Sequence, residues 1–226
     1  RVTVSLDTLR PDRFQKLARR DQLSDVLEGI EAVNRLSMAD LKIDAVVMRG
    51  FNDDEIPELI RFGEHVGAEI RFIEYMDVGG ATRWSEKSVF SKREMLAVLE
   101  SAFGGPIEAI EPESWAPAKR FRLPNGTVVG IIASTTEPFC QTCDRSRLTA
   151  DGLWYLCLYA SRGLDLKSLI RGGASEERIL AQLAFTWGAR DDRGAEQRFE
   201  IADRRALVEA ERLREDPHLE MHTRGG

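Results

Sequence analysis

With 226 residues, 42% of them hydrophobic and 31% charged, the chain has enough apolar material for one or two cores and the composition of a globular protein. A formal net charge of −6, from 32 Lys and Arg against 38 Asp and Glu, argues against a nucleic-acid or membrane-surface role and still leaves cations for a local basic pocket. No apolar run approaches the roughly 18 residues of a membrane span and no leader is visible, so the sequence reads as cytoplasmic, a setting in which clustered cysteines point to metal or redox chemistry rather than disulfides.

The chain opens on "RVTVSLDTLRP", already inside a β-type run, with Pro11 placed for a first helical turn. Domains seldom begin in mid-strand, so an N-terminal portion is expected to be missing. Leu23, Val26, Leu27, Ile30, Val33 and Leu36 recur at helical spacing. "KIDAVVM" (42–48) predicts a strand buried on both faces. "NDDEIPELIRFGEHVG" predicts a helix with Asn52 to Asp54 as capping candidates and Gly67 as its stop. "EIRFIEYM" (69–76) reads as the next strand, and "SKREMLAVLESAFGG" as a helix opened by a Ser91–Glu94 capping box and closed by Gly104-Gly105. This alternation predicts βα units on a parallel sheet. Three strands cannot close a barrel, so further strands are expected before residue 1.

After Gly105 the character changes. Two strands flank Pro124-Asn125-Gly126, a hairpin signal repeated at Asp151-Gly152. Helices are expected from Leu164 to Ile170, stopped by Gly172-Gly173, and from Ser175 to Trp187, and the charged segment from Asp203 to Arg214 has helical potential. The charged stretch 189–216 carries no assignable chemistry. The division expected is 1–105, α/β, and 106–226, α+β.

All three cysteines fall in "EPFCQTCDRSRLTADGLWYLCLYA" (137–160), spaced Cys140-x2-Cys143-x13-Cys157. Two thiolates from one tight loop can reach one centre, and the third is expected from a hairpin strand, Trp154 to Tyr159, folding back on that loop. Zinc or an iron–sulfur cluster suits such a set. His65, His218 and His222 are all remote in sequence, so three thiolates with an open fourth position is the favoured arrangement. A redox pair, a zinc ribbon completed by a distant histidine, and three unrelated buried cysteines remain open. Arg145 and Arg147 share a face if the segment is extended and suit bidentate phosphate binding beside the metal, although carboxylate partners or solvent are equally common for such a pair.

"VTVSLDTL", "LKIDAVVMRGFNDDEI", "RFIEYMDVG", "FCQTCDRSRLTADGLWYLCLY" and the terminal Gly-Gly, in this order, resemble the MoaA family, the GTP 3′,8-cyclases of molybdenum-cofactor (molybdopterin) biosynthesis. These are radical S-adenosylmethionine (SAM) enzymes, lyases in class. The resemblance runs from residue 1 to about 170 and thereafter rests on the Gly-Gly end. It implies an incomplete (β/α)6 TIM-like barrel, with 1–105 its later βα units and 106–226 a 4Fe-4S and GTP-binding domain. Cys140, Cys143 and Cys157 match ligands of a second 4Fe-4S cluster whose open iron faces the GTP base. Arg145 and Arg147 match catalytic, GTP-holding residues, with Ser146, Lys42, Gly225 and Gly226 also at the nucleotide. Ser5 and Met76 match SAM-contacting positions. On composition alone Lys42 reads as a strand-flanking charge, Ser5 and Met76 as ordinary strand residues, and the glycines as a frayed tail.

The implied mechanism is radical. SAM cleaved at a first 4Fe-4S cluster gives a 5′-deoxyadenosyl radical, which takes the ribose 3′ hydrogen, and the carbon radical then attacks C8 of guanine to give 3′,8-cyclo-7,8-dihydro-GTP. The first cluster's Cys-x3-Cys-x2-Cys motif is absent from the sequence, so the chain by itself is expected to be inactive. Cyclic pyranopterin monophosphate synthase is the implied next enzyme, and a homodimer is open. The competing readings are a zinc-stabilised binding module and a catalytically dead paralogue.

Overall fold

The computed structural model describes residues 1–36, 40–111, 116–221 and 223, and these fall into two compact units. The first comprises Arg1–Tyr75 with Lys87–Glu137, and the second Met76–Glu86 with the chain from Pro138 onward.

The first unit is mixed α/β. Strands β1 (Val2–Ser5), β2 (Leu41–Val47) and β3 (Glu69–Glu74) alternate with helices α1 (Pro11–Ala18), α2 (Leu23–Arg35) and α3 (Ile56–Val66). Helix α4 (Lys92–Phe103) then leads to β4 (Glu108–Ile110), β5 (Lys119–Arg122) and β6 (Val128–Ile132). The sheet order is β1-β2-β3-β6-β5-β4, parallel through β6 and antiparallel beyond it. The change of character after Gly105 thus marks a switch from parallel to antiparallel pairing within one sheet, and β6 gives β3 its second neighbour. The hairpin forms at Pro124-Asn125-Gly126, where Leu123 N–H donates to the Thr127 carbonyl at 2.8 Å.

One face of the sheet makes the core. Ile43, Ala45, Val47, Phe72, Val129 and Ile131 are fully buried and cluster with Ile30 of α2, Ile56 and Leu59 of α3, and Met95 and Leu99 of α4. Each of these side chains larger than alanine contributes roughly 1.5–3 kcal/mol of transfer free energy, so this layer carries the unit. Strand β2 is not buried on both faces as its sequence predicts. Its residues alternate buried and half-buried, because Lys42 and Asp44 point away from the helices.

Asn52 corrects another expectation. It does not cap α3, which is preceded by a 3-10 turn at Asp53–Glu55. Its buried amide instead donates to the carbonyls of Asp7 (2.7 Å) and Val46 (2.8 Å) and accepts from Met48 N–H, tying β1 to the end of β2.

The expected capping box of α4 is present, and Arg49 adds a 2.8 Å ion pair to Glu94. Hydrogen bonding from Arg49 holds the Glu94 carboxyl down to about 2, burial opposing this and Ser91 assisting. A depressed carboxylate stabilises above its unfolded pKa and loses that effect as pH falls through the folded value. Glu94→Gln should therefore cost about 1 kcal/mol at neutral pH, limited by solvent screening of the part-exposed pair. In urea titrations the deficit should shrink between about pH 4.5 and about pH 2.

The second unit has a small antiparallel sheet, β7 (Arg147–Leu148), β8 (Leu153–Tyr155) and β9 (Leu164–Asp165). It also holds helices α5 (Leu166–Arg171), α6 (Glu176–Gly188), α7 (Gly194–Phe199) and α8 (Ala210–Glu215). Gly152 makes the expected turn at φ +91°, where a Cβ would stand 2.6 Å from that of Lys167. Of the segment with helical potential from Asp203 to Arg214 only the end is helical, in α8, and α7 is a further short helix within 189–216.

Apolar burial is thin in this unit, and ionic packing replaces it. Asp77, fully buried, accepts from Arg204 Nε (2.9 Å) and Nη2 (2.7 Å), from Arg198 Nε (2.7 Å) and from the Tyr159 hydroxyl (3.0 Å). Trp84 lies under the Arg204 guanidinium at 5.0 Å, and Leu207 N–H donates to the Asp77 carbonyl at 2.7 Å. Burial alone would raise the Asp77 carboxyl, and the two guanidiniums outweigh it and hold it below the usual range.

Candidate metal and nucleotide site

In the second unit Cys140 opens a single 3-10 turn, Cys140–Thr142, closed by Cys143 N–H on the Cys140 carbonyl at 3.2 Å. The turn places two cysteines at its ends. From Cys143 the backbone is extended, so Cys143, Arg145 and Arg147 are half-buried while Asp144, Ser146 and Leu148 are exposed. The two arginines thus share a face, as their spacing predicts. Cys157 corrects the sequence reading in detail. Strand β8 ends at Tyr155, and Cys157 sits in the bend that follows.

All three cysteines are half-buried and free of disulfides. Cys143 Sγ accepts from Arg145 Nη2 at 3.6 Å and Arg190 Nη2 at 3.5 Å. Burial works against ionisation, and the Arg145 N–H and the two guanidiniums overcome it, so the Cys143 thiol is held below its ordinary value. Cys140 is pushed up, first by burial and then by the charges of Glu196 and Cys157, although the N–H groups of Glu196 and Ala195 donate to it. The Arg145 guanidinium also covers the Phe139 ring at 5.0 Å.

Half-buried thiolates facing N–H and guanidinium donors fit an iron–sulfur cluster, whose potential depends on hydrogen bonds to sulfur. Among the described residues no three His, Cys, Asp or Glu side chains stand close enough to share one metal ion. His218 is engaged elsewhere, at 2.7 Å from Asp151, and its imidazole pKa is raised by that carboxylate. His65 lies in α3 of the first unit, and His222 lies outside the described residues.

The remaining candidates fall in separate places. In the first unit, Ser5 ends β1, exposed, and Lys42 is the second residue of β2. The register sets Thr3, Lys42 and Glu69 in one row, and Ser5, Asp44, Arg71 and Gly130 in the next. A Cβ on Gly130 would meet Arg71 Cγ at 2.9 Å, so glycine there lets the arginine stem lie across the sheet. Buried Asp44 Oδ1 has no hydrogen-bond partner among the described residues, and its carboxyl is pushed up by burial against the pull of Arg71 and Lys42. This polar face is what the sequence reading of β2 missed, and the alternation of Lys42 and Asp44 was its signal. Met76 follows β3 by two residues, half-buried. Gly225 and Gly226 lie outside the described residues.

Arg190, Ala195 and Glu196 were also missed. They belong to the unassigned stretch 189–216, where nothing in the sequence distinguishes Arg190 from its neighbouring arginines.

Comparison with known proteins matches residues 68–196 to the family model Molybdenum Cofactor Synthesis C. A GTP 3′,8-cyclase 3 of Mycobacterium bovis is 56% identical over 226 residues, covering 100% of this chain and 60% of its own length. A GTP 3′,8-cyclase 1 of Mycobacterium tuberculosis is 53% identical over 100% of this chain and 63% of its own length. A GTP 3′,8-cyclase of Streptomyces coelicolor is 41% identical over 86% of this chain and 58% of its own length. The chain therefore spans about three-fifths of the length of these relatives.

Proposed function

This chain belongs to the Molybdenum Cofactor Synthesis C family, and on that premise we propose that it serves GTP 3′,8-cyclisation, the reaction for which its relatives are named. One observation carries the reading. Three free cysteines and the Arg145/Arg147 face lie within residues 140–157 of the second unit, with cationic donors already aimed at Cys143, in a chain that matches the two mycobacterial cyclases along its whole length.

Cys140, Cys143 and Cys157 would hold a 4Fe-4S cluster. When bound, it supplies an iron site for the guanine base. Arg145 and Arg147 act on the nucleotide by charge and by bidentate hydrogen bonding, with Ser146 exposed between them. The arginines keep the triphosphate oriented, and fixing the ribose against the purine replaces a random encounter by an intramolecular one. Lys42, Gly225 and Gly226 are proposed for the same substrate, and Ser5 and Met76 for SAM. Residues 1–105 then supply later βα units of an incomplete (β/α)6 barrel and 106–226 the cluster and GTP domain, a division by role. Cyclic pyranopterin monophosphate synthase would consume the product.

The test is anaerobic reconstitution followed by assay of iron, sulfide and zinc and titration with GTP. About four irons per chain, with cluster spectra that shift on GTP addition and fail to shift in the Arg145→Ala, Arg147→Ala double variant, are expected. One zinc, no sulfide and no nucleotide response would overturn the reading in favour of a zinc-stabilised binding module. With SAM and reductant the chain alone should show no turnover.

A further inference from the structure

The stretch 189–216 yields no chemistry by composition, yet its first residues reach the cysteines. Arg190 is anchored on every side. Its Nη1 donates to the Cys143 carbonyl at 2.8 Å and its Nη2 to Cys143 Sγ at 3.5 Å. Its guanidinium lies 4.9 Å over the Trp187 ring, which itself stacks on Trp154, and Asp192 stands 3.9 Å from Nε. Only 11% of the Arg190 side chain is exposed.

Arg145 reaches the same sulfur differently. It covers Phe139 and has no carboxylate within ion-pair distance among the described residues. One guanidinium is built into the loop, and the other is bound to it by a sulfur contact and a ring.

A few residues further on, α7 packs against the 3-10 turn that Cys140 opens. The start of α7 is fixed by close packing. A Cβ on Gly194 would stand 2.5 Å from Tyr159 Cβ. The Tyr159 hydroxyl is itself bonded to Asp77 and to Arg204. The segment that packs on the Cys140 turn is thereby tied to the buried ionic centre at Asp77.

We propose that residues 190–196 form a strap over the cysteine loop, with Arg190 a positioning residue that holds the Cys143 sulfur and carbonyl for the cluster. The proposal rests on the cluster reading above. A charged donor to a ligating thiolate stabilises the more negative, reduced state of a cluster and so raises its potential. It also restrains the loop through the Cys143 carbonyl, which slows ligand loss. Arg145 is then left for the nucleotide.

The experiment compares wild-type, Arg190→Lys and Arg190→Met chains, each reconstituted anaerobically with iron and sulfide. Two quantities are read, the midpoint potential by redox titration and the rate of iron loss to a chelator. Arg190→Met should lose iron about tenfold faster and titrate at a more negative potential. Arg190→Lys keeps the charge without the fork and should recover the potential more fully than the retention. That split separates a donor to sulfur from a merely structural arginine, and it is readable in the lysine variant even if the methionine variant folds poorly. Wild-type potential and wild-type retention in both variants would overturn the strap. Failure of the wild-type chain to take up iron and sulfide would overturn the cluster reading and the strap with it.

Discussion

Replacing Cys157 by alanine is expected to reduce bound iron and sulfide from about four per chain to a small residue, and to abolish the visible absorbance of the cluster and its response to GTP. Cys140 and Cys143 share one 3-10 turn and would remain as a two-thiolate site, too few to retain a four-iron core. Cys157 is half-buried and makes no disulfide, so its removal should change unfolding by no more than about 1 kcal/mol. The comparison of iron content with the urea midpoint of the apo chain checks both halves. Loss of iron with an unchanged midpoint assigns Cys157 to the cluster. Retention of four irons in the variant would remove Cys157 from the ligand set.

Replacing Asp77 by asparagine is expected to be the most destabilising single change in the second unit. The carboxylate is fully buried and neutralises Arg204, itself 3% exposed, and Arg198. Leaving such guanidiniums without a counter-charge costs about 3–5 kcal/mol. Because the Asp77 carboxyl is held low, its contribution is complete above the unfolded aspartate value of about 3.9 and fades as pH falls below it. The stability difference between wild type and Asp77→Asn in urea should therefore be large and flat at neutral pH and narrow in acid. A difference under 1 kcal/mol at neutral pH would mean that the ionic cluster holds little of the unit together.

What could be read from the sequence was local. The α2 stripe, the Ser91–Glu94 box and the turns at Asn125-Gly126 and Asp151-Gly152 are each encoded within a few residues, and each forms. The common face of Arg145 and Arg147 was legible for the same reason, since extended backbone has a period of two. What escaped was set by distant partners. Asn52 resembles a helix cap, but the carbonyls of Asp7 and Val46 offer its buried amide better use. The polar face of β2 was hidden by the apolar run from Ala45 to Met48, which blurs the alternation begun by Lys42 and Asp44. Arg190 has its partner 47 positions earlier, and no pattern in a charged stretch announces that. In the second unit, where apolar burial is sparse, charged residues carry the packing that hydrophobic periodicity would normally reveal.

The ionic centre at Asp77 also has a bearing on how the protein reaches its folded state. Asp77 is bonded to residues 121 and 127 positions later, Arg198 and Arg204. Contacts of such long sequence separation are slow to form, because the chain must close the loop before the contact repays its entropy. On a ribosome the sheet of the first unit has all its strands once residue 132 has emerged. At that moment Asp77 is still without either of its arginines, and it stays so for some seventy residues of further synthesis. The second unit is therefore expected to acquire its centre last, and chains arrested before Arg198 should be cut readily by protease within 76–86 while the first unit resists.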